Sequence, residues 1–494
     1  MKNWAGSKPS WLTLASRGLV LTRIAIIGGG IAGLAAAHDL EMAGRGGAEA
    51  DYQLFEAGPR LGGSITSRTV DGTVLEGGPD SFLTEKPAAA QLCRDLGLEG
   101  ELIGSNDAAR KTFILVGKRL IALPDGLMFL VPTKLIPTAL TPLFSLTTKI
   151  RMGLELLHPP RPHAGDESVA DLVRRHYGQE AVDRLADPLL SGIYGGDATQ
   201  LSAQTVLARM VEMETQYGSL TRGMLAGYAK MKAASQGKAP RAARPIFTTL
   251  RGGLQQMVDA VTARLDAGRV HLDAPVEGVR RAVEGWQVTW GGRREEFDAV
   301  LVATPAWAAA SLLAHVDGAL SEELRGIPYS SSITVNLLYD ETTLGRLPEG
   351  FGFLVPAVEK RSLLACTFAH RKFLGRTAPG KAVIRAFMGG AHNEALLAES
   401  DETLSGLVRE DLRQILGVTA EPELIEVRRW RRAMAQYAVG HKARQARIQA
   451  RMAELPGLRL VGNAYDGIGV SDCIRLGRQA AKDLLALQVE RVKA

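Results

Sequence analysis

The chain has 494 residues, 46% of them hydrophobic and 23% charged. This length exceeds one ordinary hydrophobic core and predicts two or three domains of a folded globular protein. The composition excludes a disordered or fibrous chain, and the apolar runs are too short to predict a membrane-spanning helix. Three widely spaced cysteines, Cys93, Cys366 and Cys473, predict no metal site and indicate a reducing compartment.

The formal net charge of +6 favours anionic partners in general. The basic residues are scattered, however, and the densest cluster, Arg428–Arg432 around Trp430, lacks a nucleic-acid-binding motif. We therefore expect no binding of nucleic acid. Residues 1–22 precede the first predicted strand and are interpreted as an N-terminal extension, because their apolar run is too short for a secretory signal.

A dinucleotide-binding motif stands near the N-terminus. The apolar run Ile24–Ile27 predicts a buried parallel strand, and Leu34–Leu40 predicts a helix rich in small residues. Between them lies the glycine run Gly28–Gly33, whose first glycine allows a tight turn. Gly30 lets the backbone approach a pyrophosphate, and Gly33 lets helix and strand touch. The helix N-terminus then offers free N–H groups to the phosphates.

The residues after the next predicted strand favour FAD over other dinucleotides. Glu56 follows that strand, roughly 20 residues beyond the glycines, where an acid binds ribose hydroxyls and repels the 2′-phosphate of NADP. Arg60 and Gly63 offer a second contact to the diphosphate. The glycine corner Glu76–Ser81 leaves bare backbone for a flat ring.

A second glycine motif, Leu460–Val470, lies near the C-terminus. Gly462, Gly467 and Gly469 bring main chain close to a ligand just before a helix predicted to begin near Ser471. A helix N-terminus stabilises the negative charge that develops on a flavin as it accepts a hydride. The two motifs together predict a flavoenzyme.

The regions between the motifs divide into three units. A discontinuous FAD-binding domain is predicted over residues 23–105, 246–310 and 440–494, with Val276 near the adenine end of the cofactor. Residues 112–236 are predicted as a mostly helical insertion that either presents an apolar face to lipid or packs on its neighbours. Alternating patterns predict an antiparallel sheet for a substrate domain over residues 311–439.

A resemblance to a known family is carried by Phe113–Gly117 with Ala122–Gly126, Asp187–Asp197, Gln436–His441 and Gly467–Ile474. From Thr22 onward the chain resembles the flavoprotein amine-oxidase superfamily and, within it, the oxygen-dependent protoporphyrinogen oxidases, on their bacterial protoporphyrinogen and coproporphyrinogen oxidase branch.

The resemblance implies an α/β fold. It consists of a Rossmann-like FAD domain of p-hydroxybenzoate-hydroxylase type, an antiparallel-sheet substrate domain and a helical membrane-binding domain. The implied activity is the six-electron oxidation of protoporphyrinogen IX to protoporphyrin IX in haem biosynthesis, with O2 as acceptor and H2O2 as product. Coproporphyrinogen III is the alternative substrate. Hand-off of the product to a ferrochelatase, a homodimer, and a cytoplasmic location with peripheral membrane contact are further expectations.

Site residues follow by position. The expected FAD contacts are Gly28, Gly29, Gly30, Ile31, Ala32, Gly33, Glu56, Ala57, Arg60, Gly63, Ser64, Gly78, Pro79, Asp80, Ser81, Val276, Trp430, Gly462, Ile468, Gly469 and Val470. Gly192 matches a glycine whose carbonyl lies near the reacting edge of the macrocycle. Leu354 and Phe387 either line the same cavity or belong to the hydrophobic core. We expect no metal, because the cofactor performs the chemistry in a dry cavity.

This sequence departs from the family at three positions. Thr112 and Asp80 stand where arginines occur in eukaryotic members, and Lys111 is the candidate replacement for a substrate-carboxylate contact. Ala435 replaces a proline that usually precedes the Gln-Tyr pair. A flavin amine oxidase, a carotenoid desaturase, or a flavin-free binding protein similar to Rab GDP-dissociation inhibitors are the alternatives. A yellow purified protein would count against the last of these.

Overall fold

The chain forms an α/β structure with one parallel and one largely antiparallel sheet. The computed structural model describes residues 22–46, 50–128, 130–162, 165–235 and 244–493, so the predicted N-terminal extension lies outside this set up to residue 21. The described strands are β1 (Thr22–Ile27), β2 (Ala50–Phe55), β3 (Ser67–Val70), β4 (Thr73–Glu76), β5 (Phe82–Leu83), β6 (Leu102–Gly104), β7 (Thr112–Val116), β8 (Arg119–Ala122), β9 (Leu127–Met128), β10 (Val131–Pro132), β11 (Phe247–Leu250), β12 (Val270–His271), β13 (Val276–Arg281), β14 (Trp286–Trp290), β15 (Arg293–Phe297), β16 (Ala299–Val302), β17 (Tyr329–Asp340), β18 (Gly352–Leu354), β19 (Leu363–Phe368), β20 (Lys381–Gly389), β21 (Leu424–Ala435) and β22 (Leu458–Leu460).

The helices are interspersed with these strands, and many of them lie between residues 135 and 235. They are α1 (Ile31–Arg45), α2 (Pro87–Asp95), α3 (Leu135–Leu140), α4 (Leu146–Leu154), α5 (Val169–Tyr177), α6 (Gln179–Ala181), α7 (Asp187–Tyr194), α8 (Ala203–Val206), α9 (Ala208–Tyr217), α10 (Leu220–Ser235), α11 (Gln255–Thr262), α12 (Ala306–Leu313), α13 (Gly318–Arg325), α14 (Ala369–Lys372), α15 (Asp401–Leu416), α16 (His441–Ala453) and α17 (Val470–Lys493).

A five-stranded parallel sheet carries the first glycine motif. Its strand order is β12-β2-β1-β16-β22. The β1 residues Ile24–Ile27 are fully or almost fully buried, as expected for a strand covered on both faces. Helices α1 and α17 pack closely on each other, since a Cβ at Gly477 would lie only 2.1 Å from the Ala32 carbonyl oxygen. The predicted strand-turn-helix unit is therefore confirmed.

A seven-stranded sheet forms the second layer of the site. Its order is β21-β17-β20-β19-β18-β7-β8, antiparallel except for the parallel pair β18 and β7. The alternating patterns predicted as strands over residues 334–339, 363–368 and 383–388 lie within β17, β19 and β20. Residues 112–122, which we assigned to the helical insertion, instead form β7 and β8 at the edge of this sheet. Main-chain pairing with β18, more than 200 residues away, determines that outcome, so local pattern alone does not reveal it.

The helical part of the chain starts at Leu135 and runs to Ser235. Residues 179–194 do not form one continuous α-helix: a π-helical turn over Val182–Ala186 separates α6 from α7. Pro188 lies in the first turn of α7 and has no N–H group, so it cannot complete the ordinary helical bonding with the preceding turn. Such π turns are often found at functional sites.

Candidate flavin and substrate site

The first glycine turn is shaped for close approach by a ligand. A Cβ at Gly33 would lie 2.0 Å from the carbonyl oxygen of Gly28, so only glycine allows this contact between helix and turn. A Cβ at Gly30 would meet no atom within 4 Å, and Gly30 caps α1 in an extended conformation. Its side therefore faces open space at the helix N-terminus, which suits a pyrophosphate.

Glu56 and Arg60 support this turn in ways that the sequence did not reveal. The Glu56 carboxylate accepts hydrogen bonds from the backbone N–H groups of Gly29 and Gly58, both at 2.8 Å. It thus connects the end of β2 to the glycine turn. The Arg60 guanidinium donates to the carbonyl oxygens of Leu61, Gly63 and Ile65, so it braces its own loop. Its contact with the diphosphate stays a prediction.

The second glycine motif is held by side chains from other segments. The Tyr437 hydroxyl accepts from Gly467 N and donates to the carbonyl oxygen of Asn463, each at 2.9 Å. Asp472, in the first turn of α17, accepts from Gly469 N at 3.2 Å and from Lys86 Nζ at 2.7 Å. These contacts place Ile468, Gly469 and Val470 at the N-terminus of α17. Sequence reasoning missed Asp472 and Lys86, since they lie almost 400 residues apart.

The glycine corner after β4 joins three predicted FAD contacts. Trp430 Nε1 donates to the carbonyl oxygen of Gly77 at 2.8 Å. A Cβ at Gly78 would lie 1.7 Å from the Ser64 carbonyl oxygen and 3.6 Å from the Trp430 ring. Ser64, Gly78 and Trp430 therefore meet, although they come from distant parts of the chain. Val276 lies farther along, at the start of β13, where it pairs with Trp290.

Buried charges lie directly behind this corner. Lys372 Nζ contacts both oxygens of Asp80, at 2.9 and 3.0 Å, and Arg385 lies 3.5 Å from the same carboxylate. Burial alone would raise the pKa of Asp80, but the adjacent Lys372 and Arg385 outweigh it and hold that pKa well below the ordinary range. The Asp80 side chain is thus engaged by cations, and the contact of this residue with FAD stays a prediction. A second pair, Arg376 with Glu76, lies beside it.

The predicted substrate residues Gly192, Leu354 and Phe387 lie close together. A Cβ at Gly192 would lie 3.2 Å from Leu354 Cδ2. Leu354 pairs with Ala365, which in turn pairs with Phe387 on the next strand. Phe387 also lies two residues from Arg385 on β20, and side chains two apart share one face of a strand. Because Arg385 donates to the Gly78 carbonyl oxygen, this face looks toward the glycine corner.

Lys111 is placed differently. It is exposed and lines a polar cavity of about 650 Å³ together with Asn106, His370, Arg371 and Lys381. Gly192, Leu354 and Phe387 are outside the lining of that cavity. The structure therefore separates Lys111 from the other predicted substrate residues, and its contact with a substrate carboxylate stays a prediction.

Comparison with known proteins agrees with the geometry of the two glycine turns. Residues 31–485 match the family of flavin containing amine oxidoreductases, and the chain belongs to this family. It is 34% identical over 466 residues to coproporphyrinogen III oxidase of Bacillus subtilis (strain 168), covering 94% of this chain and 97% of that protein. It is 30% identical over 481 residues to chloroplastic protoporphyrinogen oxidase 1 of Spinacia oleracea, covering 93% and 83%. A crystal structure from Exiguobacterium sp. 255-15, provisionally named a protoporphyrinogen oxidase, has a TM-score of 0.83 at 32% identity and covers 95% of this chain and 100% of its own.

The cofactor is FAD, as expected from the motifs. The open side of Gly30 and the N-terminus of α1 fit the pyrophosphate of a dinucleotide. Within the described ranges, every helix is too short or too polar to cross a membrane.

Proposed function

We propose that this protein is an FAD-dependent porphyrinogen oxidase of haem biosynthesis that uses O2 as electron acceptor. The observation that carries the proposal is the closeness of Gly192 to Leu354, whose Cδ2 would lie 3.2 Å from a Cβ at Gly192. Leu354 lies on the sheet face that also bears Phe387 and faces the glycine corner. Full-length similarity to coproporphyrinogen and protoporphyrinogen oxidases supports it.

The arrangement of residues suits oxidation of a large apolar macrocycle. The glycine turn Gly28–Gly33 would hold FAD, which would supply hydride acceptance and transfer of the electron pair to O2. A porphyrinogen becomes a porphyrin by losing three hydrides and three protons, so three O2 molecules are consumed and three H2O2 molecules form. Leu354 and Phe387 offer an apolar wall that excludes water, and Gly192 lies beside Leu354 in the same wall. The α17 N-terminus at Val470 favours negative charge nearby.

Between the two substrates, we propose coproporphyrinogen III ahead of protoporphyrinogen IX. This reverses the order expected from the sequence, because the relative from Bacillus subtilis and further relatives at 30 to 32% identity are named coproporphyrinogen III oxidases. The chloroplastic relative, at 30% identity, keeps protoporphyrinogen IX as the alternative.

A parallel aerobic assay tests the function and the choice of substrate together. The purified protein is examined for a flavin spectrum and then supplied with each porphyrinogen, and the fluorescent porphyrin product is followed against an enzyme-free control. We expect faster formation of coproporphyrin III. Faster formation of protoporphyrin IX would reverse the substrate assignment. Bound flavin with neither substrate oxidised would favour an amine oxidase or desaturase.

We further propose a peripheral membrane contact through an apolar face on α3 and α4. Ile136 and Leu140 are 74% and 77% exposed, and Leu146, Ile150 and Leu154 are 73%, 56% and 56% exposed. The four-residue spacing aligns these side chains along one side of each helix. Exposed basic residues at Lys134 and Arg151 border the face, a composition typical of helices that lie on anionic lipid.

Sedimentation with vesicles tests this contact. We expect the protein to sediment with vesicles of phosphatidylglycerol and phosphatidylcholine, and the double variant Leu146→Ser/Ile150→Ser to remain in the supernatant. Val283→Ser is the matched control, because Val283 is fully exposed in a distant hairpin turn. Equal sedimentation of the double variant and the control would exclude this face as the lipid contact.

A further inference from the structure

Asp187 occupies an unusual junction at the start of α7. One of its carboxylate oxygens lies 3.2 Å from His392 Nε2, and the other accepts a hydrogen bond from Ala357 N at 3.3 Å. The residue is only 8% exposed. Since α7 begins directly after the π-helical turn Val182–Ala186, the start of this helix is not continuous with an ordinary helical turn. Contacts from outside the helix therefore help to hold it.

The three segments that meet at Asp187 are those that carry the substrate residues. Gly192 lies on α7 itself. Leu354 ends β18, three residues before Ala357, and Phe387 lies on β20, five residues before His392. A further hydrogen bond, from Ala391 N to the Gly195 carbonyl oxygen at 2.9 Å, joins α7 to the residues after β20.

We propose that Asp187 and His392 are positioning residues for the substrate cavity, and that their ion pair holds the walls bearing Gly192, Leu354 and Phe387 at their working separation. This inference rests on the proposed function of that cavity. The pair acts through the backbone segments that it joins. It involves none of the residues of the first glycine turn around Gly30 or of the glycine corner at Gly78.

The electrostatic surroundings of His392 make this contact sensitive to pH. The hydrogen bond to Asp187 raises the pKa of His392 despite partial burial, and the nearby carboxylate of Asp197 adds to the effect. Asp187 and Asp197 belong to α7 and the residues that follow it, so both acids that face His392 come from the opposite wall. The charge-assisted bond is present while His392 is protonated and weakens as pH rises through its raised pKa.

The first test compares KM for the porphyrinogen as a function of pH in wild type and His392→Gln. Glutamine keeps a hydrogen-bond donor but cannot titrate. We expect KM of the wild type to rise about threefold to tenfold between about pH 6 and about pH 9, and KM of His392→Gln to stay flat. His315→Gln is the matched control, because His315 is exposed in the turn between α12 and α13. A wild-type profile in His392→Gln, or a flat profile in the wild type, would overturn the proposal.

The second test does not depend on the substrate. Hydrogen–deuterium exchange of the holoenzyme is measured over residues 187–195 in wild type, His392→Leu and His315→Gln. Removing the donor is expected to accelerate exchange in this segment alone, with FAD content unchanged. Unchanged exchange in His392→Leu would sink the proposal even if neither porphyrinogen is oxidised. Accelerated exchange in an enzyme that oxidises neither porphyrinogen would instead count against the proposed function, and it would still support the positioning role of Asp187 and His392.

Discussion

The cofactor end and the substrate end of this molecule are built in different ways. Around the first glycine turn, neighbouring residues on the chain do most of the work: Gly28, Gly30 and Gly33 shape a backbone surface within a single strand-turn-helix unit. The substrate wall instead takes Gly192, Leu354 and Phe387 from three segments spread over almost 200 residues. Backbone N–H groups bind a phosphate, and the turn that presents them requires a recognisable local sequence motif. An apolar macrocycle is bound by the shape of a cavity, which requires no such motif.

Breaking the cofactor end is expected to have the largest effect. Gly33→Asp places a side chain where even a Cβ would lie 2.0 Å from the Gly28 carbonyl oxygen, and it adds negative charge beside the pyrophosphate. We expect complete loss of bound FAD, measured from the flavin absorbance per chain. Gly100→Asp is the control, since a Cβ there meets no atom within 4 Å. Stoichiometric FAD in Gly33→Asp would disprove the motif assignment.

The stability of the helical region depends on a network of buried charges that no local sequence pattern predicts. His176 lies between Glu155 and Glu214, at 2.9 and 3.2 Å, and its side chain is 1% exposed. Burial alone would lower the pKa of His176, but its hydrogen bonds with Glu155 and Glu214 raise it overall. Burial alone would raise the pKa of Glu155, but hydrogen bonds, including the one from His176, lower it overall.

The sign of the resulting pH dependence follows from these directions. The contribution of His176 to stability is complete below its ordinary pKa of 6.5 and is lost as pH rises through the raised value. The contribution of Glu155 is complete above its ordinary pKa of 4.5 and is lost as pH falls. We expect His176→Gln to lower the free energy of unfolding by about 3 kcal/mol in mildly acidic solution, because the buried Glu155 carboxylate loses its ion pair with His176, whereas Glu214 keeps its ion pair with Arg175.

Urea denaturation over a range of pH checks this expectation. The wild type should lose stability between about pH 6.5 and about pH 9, and the difference between wild type and His176→Gln should shrink over the same range. His315→Gln again serves as control, because that histidine is exposed. A difference that is constant with pH would show that the network is not ionised as described.

A smaller effect is expected at the substrate wall. Phe387→Ala removes a ring from the sheet face that lies toward the glycine corner. We expect KM for the porphyrinogen to rise about tenfold, equivalent to about 1.4 kcal/mol, while FAD stays bound. Leu374→Ala is the matched control, because Leu374 is 61% exposed and lines the other, polar cavity. Equal KM values in the two variants would show that the macrocycle does not bind against β20.

The smallest effect is expected at Lys111. Because this lysine is exposed and lines a cavity apart from Leu354 and Phe387, Lys111→Ala should change KM by less than about twofold. Steady-state kinetics beside Phe387→Ala gives a direct comparison within one data set. A rise as large as that of Phe387→Ala would return Lys111 to the substrate site and show that a carboxylate reaches the polar cavity.

Local sequence pattern specifies the backbone-based features of this protein. The buried strand β1, the turn before α1, the acid at Glu56 and the glycines before α17 were all predicted from local pattern, because turns, caps and buried strands impose residue types at fixed spacing. Family resemblance added Gly192, Leu354 and Phe387, which apolar composition alone could not have distinguished from core.

Tertiary structure alone decided the contacts between distant side chains. It moved residues 112–122 from the helical insertion into the seven-stranded sheet, and it engaged Asp80 with Lys372 and Arg385. It also brought His392 to the carboxylate of Asp187. The physical reason is the same in each case: strand pairing and ion pairs depend on distance in space, and residues about 200 or more positions apart carry no shared local periodicity by which their meeting could be foreseen.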